Sequence, residues 1–176
     1  VAVSPDGRTV VATSETSGMA HVIDRASSTV RENLPVDTRP RSAAFTPDGK
    51  RLWVSSELGG TVTVFDTASW RPAGKIDFTA IPSAQPVGIA FSPDGARAYI
   101  ALGRGNAVAE VDAASLKPLR RFAVGQRVWG VAVSPDGVRV YAANGLSGDM
   151  SIIDLKSGEV RSIALGGRPW GVAASR

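Results

Sequence analysis

The sequence predicts an all-β fold: a β-propeller of four four-stranded antiparallel blades plus one extra inner strand. Two observations predict it. The tetrapeptide Ser/Thr-Pro-Asp-Gly occurs four times, at Ser4–Gly7, Thr46–Gly49, Ser92–Gly95 and Ser134–Gly137. Each copy is followed, 18 residues after its Asp, by a second Asp that closes an apolar strand: Asp24, Asp66, Asp112 and Asp154. Constant spacing inside units of 42–46 residues marks a repeat architecture. Four short strands in a unit of that size make a propeller blade.

Aligned on Pro-Asp-Gly, each unit opens with an apolar inner strand: Val1–Ser4, Ser42–Thr46, Gly88–Ser92 and Gly130–Ser134. The turn that follows has a stated chemistry. Pro presets φ, the side chains of Asp6, Asp48, Asp94 and Asp136 bond their own backbone, and Gly accepts positive φ. Second strands are expected at Thr9–Ser14, Arg51–Ser56, Arg97–Leu102 and Arg139–Asn144, and third strands at Ala20–Asp24, Thr61–Asp66, Ala107–Asp112 and Met150–Asp154. The closing Asp precedes Ser/Thr-rich turns, where a carboxylate accepts backbone N–H bonds. Fourth strands, Val30–Val36, Ala73–Phe78, Leu119–Val124 and Val160–Leu165, are more polar, as an outer edge should be. No helical period competes.

Blades are expected at about residues 1–38, 39–84, 85–126 and 127–168, with a further blade beginning at 169–176. The Asp-to-next-Asp gaps are 24, 28 and 24 residues, and the extra four lie within Ile76–Pro86. An insertion of this kind maps to a loop on one face, either a binding loop or a tolerated surface one. The strand Trp170–Ser175 matches the inner strands, and Arg176 stands where the next Pro would fall. A chain that starts and stops within the same strand of the repeat is expected to be part of a larger propeller. A four-bladed ring, or two chains completing one eight-bladed ring that caps the open blade edges as a homo-oligomer, are the alternatives.

Composition narrows the function. The 176 residues are 43% hydrophobic, so the chain has material for packed blades. No Cys is present, and His21 is the single His, which excludes thiolate and His-rich metal sites made by this chain alone. Net charge is +4, but Arg8, Arg51, Arg97 and Arg139 are dispersed through the repeat. Nucleic-acid binding needs a clustered basic face. No apolar run is long enough for a transmembrane segment. No signal peptide is read in the chain, which begins at Val1.

Val140-Tyr-Ala-Ala-Asn144, followed by Met150-Ser-Ile-Ile-Asp154, resembles the YVTN-type β-propeller repeat. Leu52-Trp-Val-Ser55 and Ala98-Tyr-Ile-Ala101 are similar but lack the final Asn. The inner-strand segments Val128-Trp-Gly-Val-Ala-Val-Ser134 and Pro169-Trp-Gly-Val-Ala173 resemble propeller proteins associated with PQQ-dependent alcohol catabolism in bacteria. The resemblance implies a ring of about seven blades, a periplasmic or extracellular location and a binding or scaffold role, with a protein partner or a small anionic ligand. An enzyme is the alternative, either a lactonase-like hydrolase or a quinoprotein-type oxidoreductase. Its ring of Glu, Asn, Asp or His ligands would need residues beyond Asn106 and Asn144. A surface-layer or adhesive repeat is a third reading.

The repeat alignment also nominates a site. Arg39, Gln85, Arg127 and Arg168 share one position before the inner strands, and Arg41, Val87, Trp129 and Trp170 share the position two residues on. Around an axis, these guanidiniums and indoles converge on the channel mouth. Guanidinium suits carboxylates, and an indole face suits a planar ring. No cofactor is evident from a motif; PQQ or another anionic ligand fits the chemistry. The opposing reading packs Trp between blades and leaves Arg solvated. No metal site is expected; Glu15 and Glu57 match across two blades and are read as surface charge or, with less support, as ligands for a hard cation. Glu110 replaces Val22, Val64 and Ile152, so it is expected between blades, paired with Arg120 or Arg121.

Overall fold

The computed structural model describes residues 1–175, and Arg176 lies outside them. Blade 1 comprises β1 (Ala2–Val3), β2 (Thr9–Ser14), β3 (Met19–Asp24) and β4 (Thr29–Pro35). Blade 2 comprises β5 (Pro40–Phe45), β6 (Arg51–Ser56), β7 (Thr61–Asp66) and β8 (Pro72–Asp77). Blade 3 comprises β9 (Ile89–Phe91), β10 (Arg97–Ala101), β11 (Ala107–Asp112) and β12 (Pro118–Ala123). Blade 4 comprises β13 (Val128–Val133), β14 (Arg139–Asn144), β15 (Asp149–Asp154) and β16 (Val160–Ala164). Each blade is a four-stranded antiparallel meander with neighbours in chain order, and no helix occurs among the described residues. The observed fold is therefore all-β, four antiparallel blades of a propeller.

The turn chemistry holds in every blade. Ser4, Thr46, Ser92 and Ser134 each donate a hydroxyl bond to the Asp two residues on, at 2.5–2.6 Å. The same hydroxyl accepts the N–H of the residue that opens the second strand. Asp24, Asp66, Asp112 and Asp154 each accept the backbone N–H and the hydroxyl of the Ser three residues on. One residue later the chain turns through positive φ, at Ser28, Trp70, Leu116 and Gly158.

Cores lie between blades. Alternate residues of each central strand face opposite neighbours, as strand geometry requires. Val11, Ala20 and Val22 meet Leu52, Val54 and Phe65 between blades 1 and 2. Trp53, Val62 and Val64 meet Ala98, Ile100 and Val111 between blades 2 and 3. Tyr99, Ala101 and Val108 meet Val140, Ala142 and Ile153 between blades 3 and 4. The lengthened connection after β8 folds over its own seam: Phe78 is buried, and Ile81 and Ala84 pack against the same core.

Two expectations need correcting. Inner strands β5 and β13 begin before the expected Ser42 and Gly130, because each carries a register shift, between Pro40 and Ser42 and between Val128 and Val131. The expected extra inner strand, Trp170–Ser175, is not a strand. A strand requires a hydrogen-bonded neighbour, and no described residue pairs with this segment. The segment still passes beside β13, with Trp170 facing Trp129 at 6.3 Å.

Candidate functional site

Backbone geometry at the ends of β5 and β13 sets the site. Arg39 and Arg127 adopt left-handed φ of 62° and 56° in the loops before these strands. The register shifts then fall at Arg41 and at Trp129–Gly130. A bulge re-aims a side chain out of strict alternation. Neither feature has a residue-type signature strong enough to be found in the sequence.

Glu57 is the centre of the cluster. It follows β6 and its side chain is 1% exposed. Its Oε2 accepts the Nε–H of Arg41 at 2.6 Å and lies 3.4 Å from Arg39 Nε. Its Oε1 accepts the Nη2–H of Arg127 at 2.7 Å. Glu15, from blade 1, pairs with Arg39 at 3.1 Å and with Arg41 Nη1. Where the repeat replaces Arg by Gln85, its Oε1 accepts a bond from Arg127 Nη1 at 2.5 Å. A fourth guanidinium here would repel Arg127, whereas the amide supplies an acceptor. Val87 is buried instead of reaching the rim. Arg168 is exposed and forms no ion pair among the described residues.

The indole of Trp129 is held by the same arginines. Arg127 lies 4.3 Å and Arg41 5.5 Å from its ring centroid. Trp170 stands on the open side, 69% exposed. A groove of about 260 Å³ follows, lined by Arg41, Val87, Gly88, Trp129, Gly130 and Trp170. Its wall is backbone in close contact: Gly88 donates its N–H to Trp129 O at 3.0 Å. A Cβ on Gly88 would stand 2.6 Å from that oxygen.

Structure therefore brings Arg39, Arg41, Gln85, Arg127, Trp129 and Trp170 to one mouth and leaves Arg168 at its edge. It also adds two carboxylates. Glu15 and Glu57 were read as surface charge or cation ligands, but Glu57 is buried and both are engaged by guanidiniums. No group of three or more His, Cys, Asp or Glu that could hold a metal ion occurs among the described residues. The shared repeat position of Glu15 and Glu57, on the rim that carries the arginines, was the available signal.

Other singled-out residues serve the scaffold. Asn106 Oδ1 accepts the backbone N–H of Arg127 at 2.9 Å and holds that loop. Asn144 lies in the seam between blades 3 and 4, donating to Asp149 at 2.7 Å and Ser151 at 2.9 Å. His21 bonds Asn33 across β3 and β4 at 2.6 Å. Glu110 pairs with Arg120 at 2.5 Å, one of the two partners expected. Arg120 spans the seam to donate to Leu155 O. Burial next to the Glu110 carboxylate pushes the Tyr99 phenol up to about 12.

Fold and site together define a segment of a propeller with an arginine–carboxylate cluster and an indole face at its channel mouth. The chain belongs to the lactonase, 7-bladed β-propeller family, whose model matches residues 1–165. Among solved structures, hydrazine synthase of Kuenenia stuttgartiensis is similar, with a TM-score of 0.82 and 28% identity. The alignment covers 93% of this chain and 48% of that one, so the chain spans about half the length of that protein. No curated protein matches.

Proposed function

We propose that this chain is the ligand-binding part of a propeller that holds a small, planar organic carboxylate at its channel mouth. One observation carries the reading: three guanidiniums, from Arg39, Arg41 and Arg127, are arranged around two carboxylates beside an indole. The cluster keeps one positive charge in excess. Arg41 lines the groove, and its Nη2 has no protein partner among the described residues. Arginines already fixed by Glu57 lose little freedom on gripping an anion, which favours binding. PQQ, with three carboxylates on a planar ring system, has suitable chemistry. The repeat's resemblance adds an envelope setting linked to alcohol oxidation.

A hydrolase is the second reading, and the family match favours it. Opening a lactone produces a carboxylate, which the same guanidiniums would hold.

Calorimetric titration with aromatic carboxylates, aliphatic carboxylates, PQQ and neutral lactones tests both. Aromatic carboxylates and PQQ should bind, quench Trp fluorescence and lose at least tenfold in affinity in Arg41→Ala. Equal binding by Arg41→Ala, or no binding by any carboxylate, overturns the first reading. Acid release from a lactone by the wild-type chain, lost in Arg41→Ala, supports the second.

A further inference from the structure

The charged rim of the channel mouth is built from two repeat positions, and blade 3 departs from the pattern at both. One position, before the inner strands of blades 2, 3 and 4, holds Arg39, Gln85 and Arg127. The other, just after the second strands, holds Glu57, Gly103 and Gly145. At these positions blade 2 carries a cation and an anion, blade 3 neither, and blade 4 a cation alone.

Arg127 makes up for the missing carboxylate of its own blade by reaching across blade 3. Its Nη1–H is accepted by Gln85 Oε1 at 2.5 Å and its Nη2–H by Glu57 Oε1 at 2.7 Å. Glu57 Oε2 then accepts the Nε–H of Arg41 at 2.6 Å. Three charge-assisted bonds in series thus join Gln85 to the guanidinium that lines the groove. Gln85 is not itself among the residues lining that groove.

Both departures in blade 3 are needed for this path. An arginine in place of Gln85 would set a second cation against Arg127 Nη1 and offer it no acceptor. A side chain in place of Gly103 would displace Gln85: a Cβ there would stand 2.6 Å from Gln85 O and 3.0 Å from Gln85 Cβ. Gly145 clears blade 4 in the same way. Its Cβ would stand 2.7 Å from the Trp129 indole over which the Arg127 guanidinium lies.

We propose that Gln85 is a positioning residue: by holding Arg127 against Glu57, it fixes the Arg41 guanidinium for a ligand carboxylate that Gln85 never touches. A guanidinium held at both Nη groups is fixed in plane and direction, whereas one held at a single Nη can turn about its stem. Glu57 is 1% exposed, so water does not replace a bond that Arg127 withdraws. Its carboxylate would then be shared between Arg39 and Arg41 alone, and the direction in which it holds Arg41 changes. Glu15 still holds Arg41 Nη1, so the loss of order is partial. A less ordered guanidinium binds an anion more weakly. The effect on affinity rests on the carboxylate-binding role proposed above; the effect on the guanidiniums does not.

Arginine side-chain nitrogen resonances report these contacts, because hindered rotation resolves the two Nη groups of a held guanidinium. In the wild-type chain Arg41 and Arg127 should each show resolved Nη signals. Gln85→Met, which keeps the bulk and removes the acceptor, should merge those of both residues with the far-ultraviolet circular dichroism unchanged. Gly103→Ala, which pushes Gln85 away, should do the same, so the result does not hang on one variant. Gln85→Glu keeps the oxygen and should leave both residues resolved. In calorimetric titration, Gln85→Met should bind benzoate about fivefold more weakly than the wild type. Arg41 signals that stay resolved in both Gln85→Met and Gly103→Ala overturn the proposal, as does equal benzoate affinity of Gln85→Met and a wild type that binds it. A wild type that binds no benzoate overturns the carboxylate-binding role and the ligand half of this proposal with it, and the resonances still decide the path from Gln85 to Arg41.

Discussion

Arg127, before the inner strand of blade 4, donates its Nη2–H to Glu57 of blade 2 at 2.7 Å, across the width of blade 3. The two residues are 70 apart in sequence. The bond ties three blades together at the channel mouth. Burying a carboxylate is unfavourable unless charge and hydrogen bonds replace water, and Glu57 receives both from Arg41 and Arg127. Removing one member of such a group leaves the others uncompensated.

Glu57→Ala should therefore cost on the order of 3 kcal/mol in urea unfolding. Glu57→Gln keeps an acceptor and should cost less. Glu57→Ala should also loosen the grip of Arg41 on a carboxylate ligand, since its guanidinium is then held by Glu15 alone. A loss of stability under about 1 kcal/mol in Glu57→Ala would show that the cluster adds little to the fold.

Glu110 and Arg120 should behave differently when removed singly and together. Arg120→Leu leaves a carboxylate that is 6% exposed with Arg97 Nε at 3.8 Å as its remaining cation, and should cost about 2 kcal/mol. The double variant Glu110→Ile with Arg120→Leu restores the apolar pattern of Val22, Val64 and Ile152 and should be near neutral or stabilising. Urea midpoints of the single and double variants check the sign.

Acid should unfold the protein through its turns. Hydrogen bonds from Ser4, Thr46, Ser92 and Ser134 are the largest cause holding Asp6, Asp48, Asp94 and Asp136 below the usual carboxylate range. At Asp24, Asp112 and Asp154 the largest cause is the backbone N–H of the turn Ser, and at Asp66 it is the Ser69 hydroxyl. A carboxyl group whose folded pKa is depressed stabilises the fold above its unfolded pKa and loses that contribution as pH falls. Melting temperature should be nearly level from about pH 5 to 8 and fall below about pH 4. Asp66→Asn should reduce the acid-induced drop.

Base should find Tyr99 late. Its phenol is raised to about 12, so the folded state holds this proton more tightly than the unfolded state. The linked stability is present below the unfolded phenol pKa and is lost as pH rises through the folded value. Spectrophotometric titration of a Tyr141→Phe variant should place the midpoint near 12.

Gly88→Ala should separate the inner strands. The new Cβ meets backbone, with Trp129 O at 2.6 Å and Gly130 Cα at 3.1 Å, and no side-chain rotation relieves it. A cost of about 1–3 kcal/mol is expected. Gly171→Ala, which meets nothing within 4 Å, should stay within about 0.5 kcal/mol. Chemical denaturation of the pair separates packing from the loss of glycine itself.

Most strands were legible because their signals are local. Pro-Asp-Gly needs only a hydroxyl two residues before its Asp, and Thr46 and Asp48 supply it within a few bonds. Glu110 was legible too, as a charge in an apolar column. Glu57 was legible only as a repeat position shared with Glu15, because nothing near it in sequence shows that Arg127 reaches it from another blade. The bulge at Trp129 was hidden for a related reason: a register shift depends on how β13 meets β14. Trp170–Ser175 followed the inner-strand pattern, yet a pattern without a paired neighbour makes no ladder.

The sequence by itself determined the blade, its turns and the number of repeats, since a turn's hydrogen bonds close over two to five residues. Only the tertiary structure decided that Arg39, Arg41 and Arg127 meet carboxylates before they meet any ligand. That outcome depends on how successive blades are rotated about the axis, and the rotation is set by packing in the seams between them.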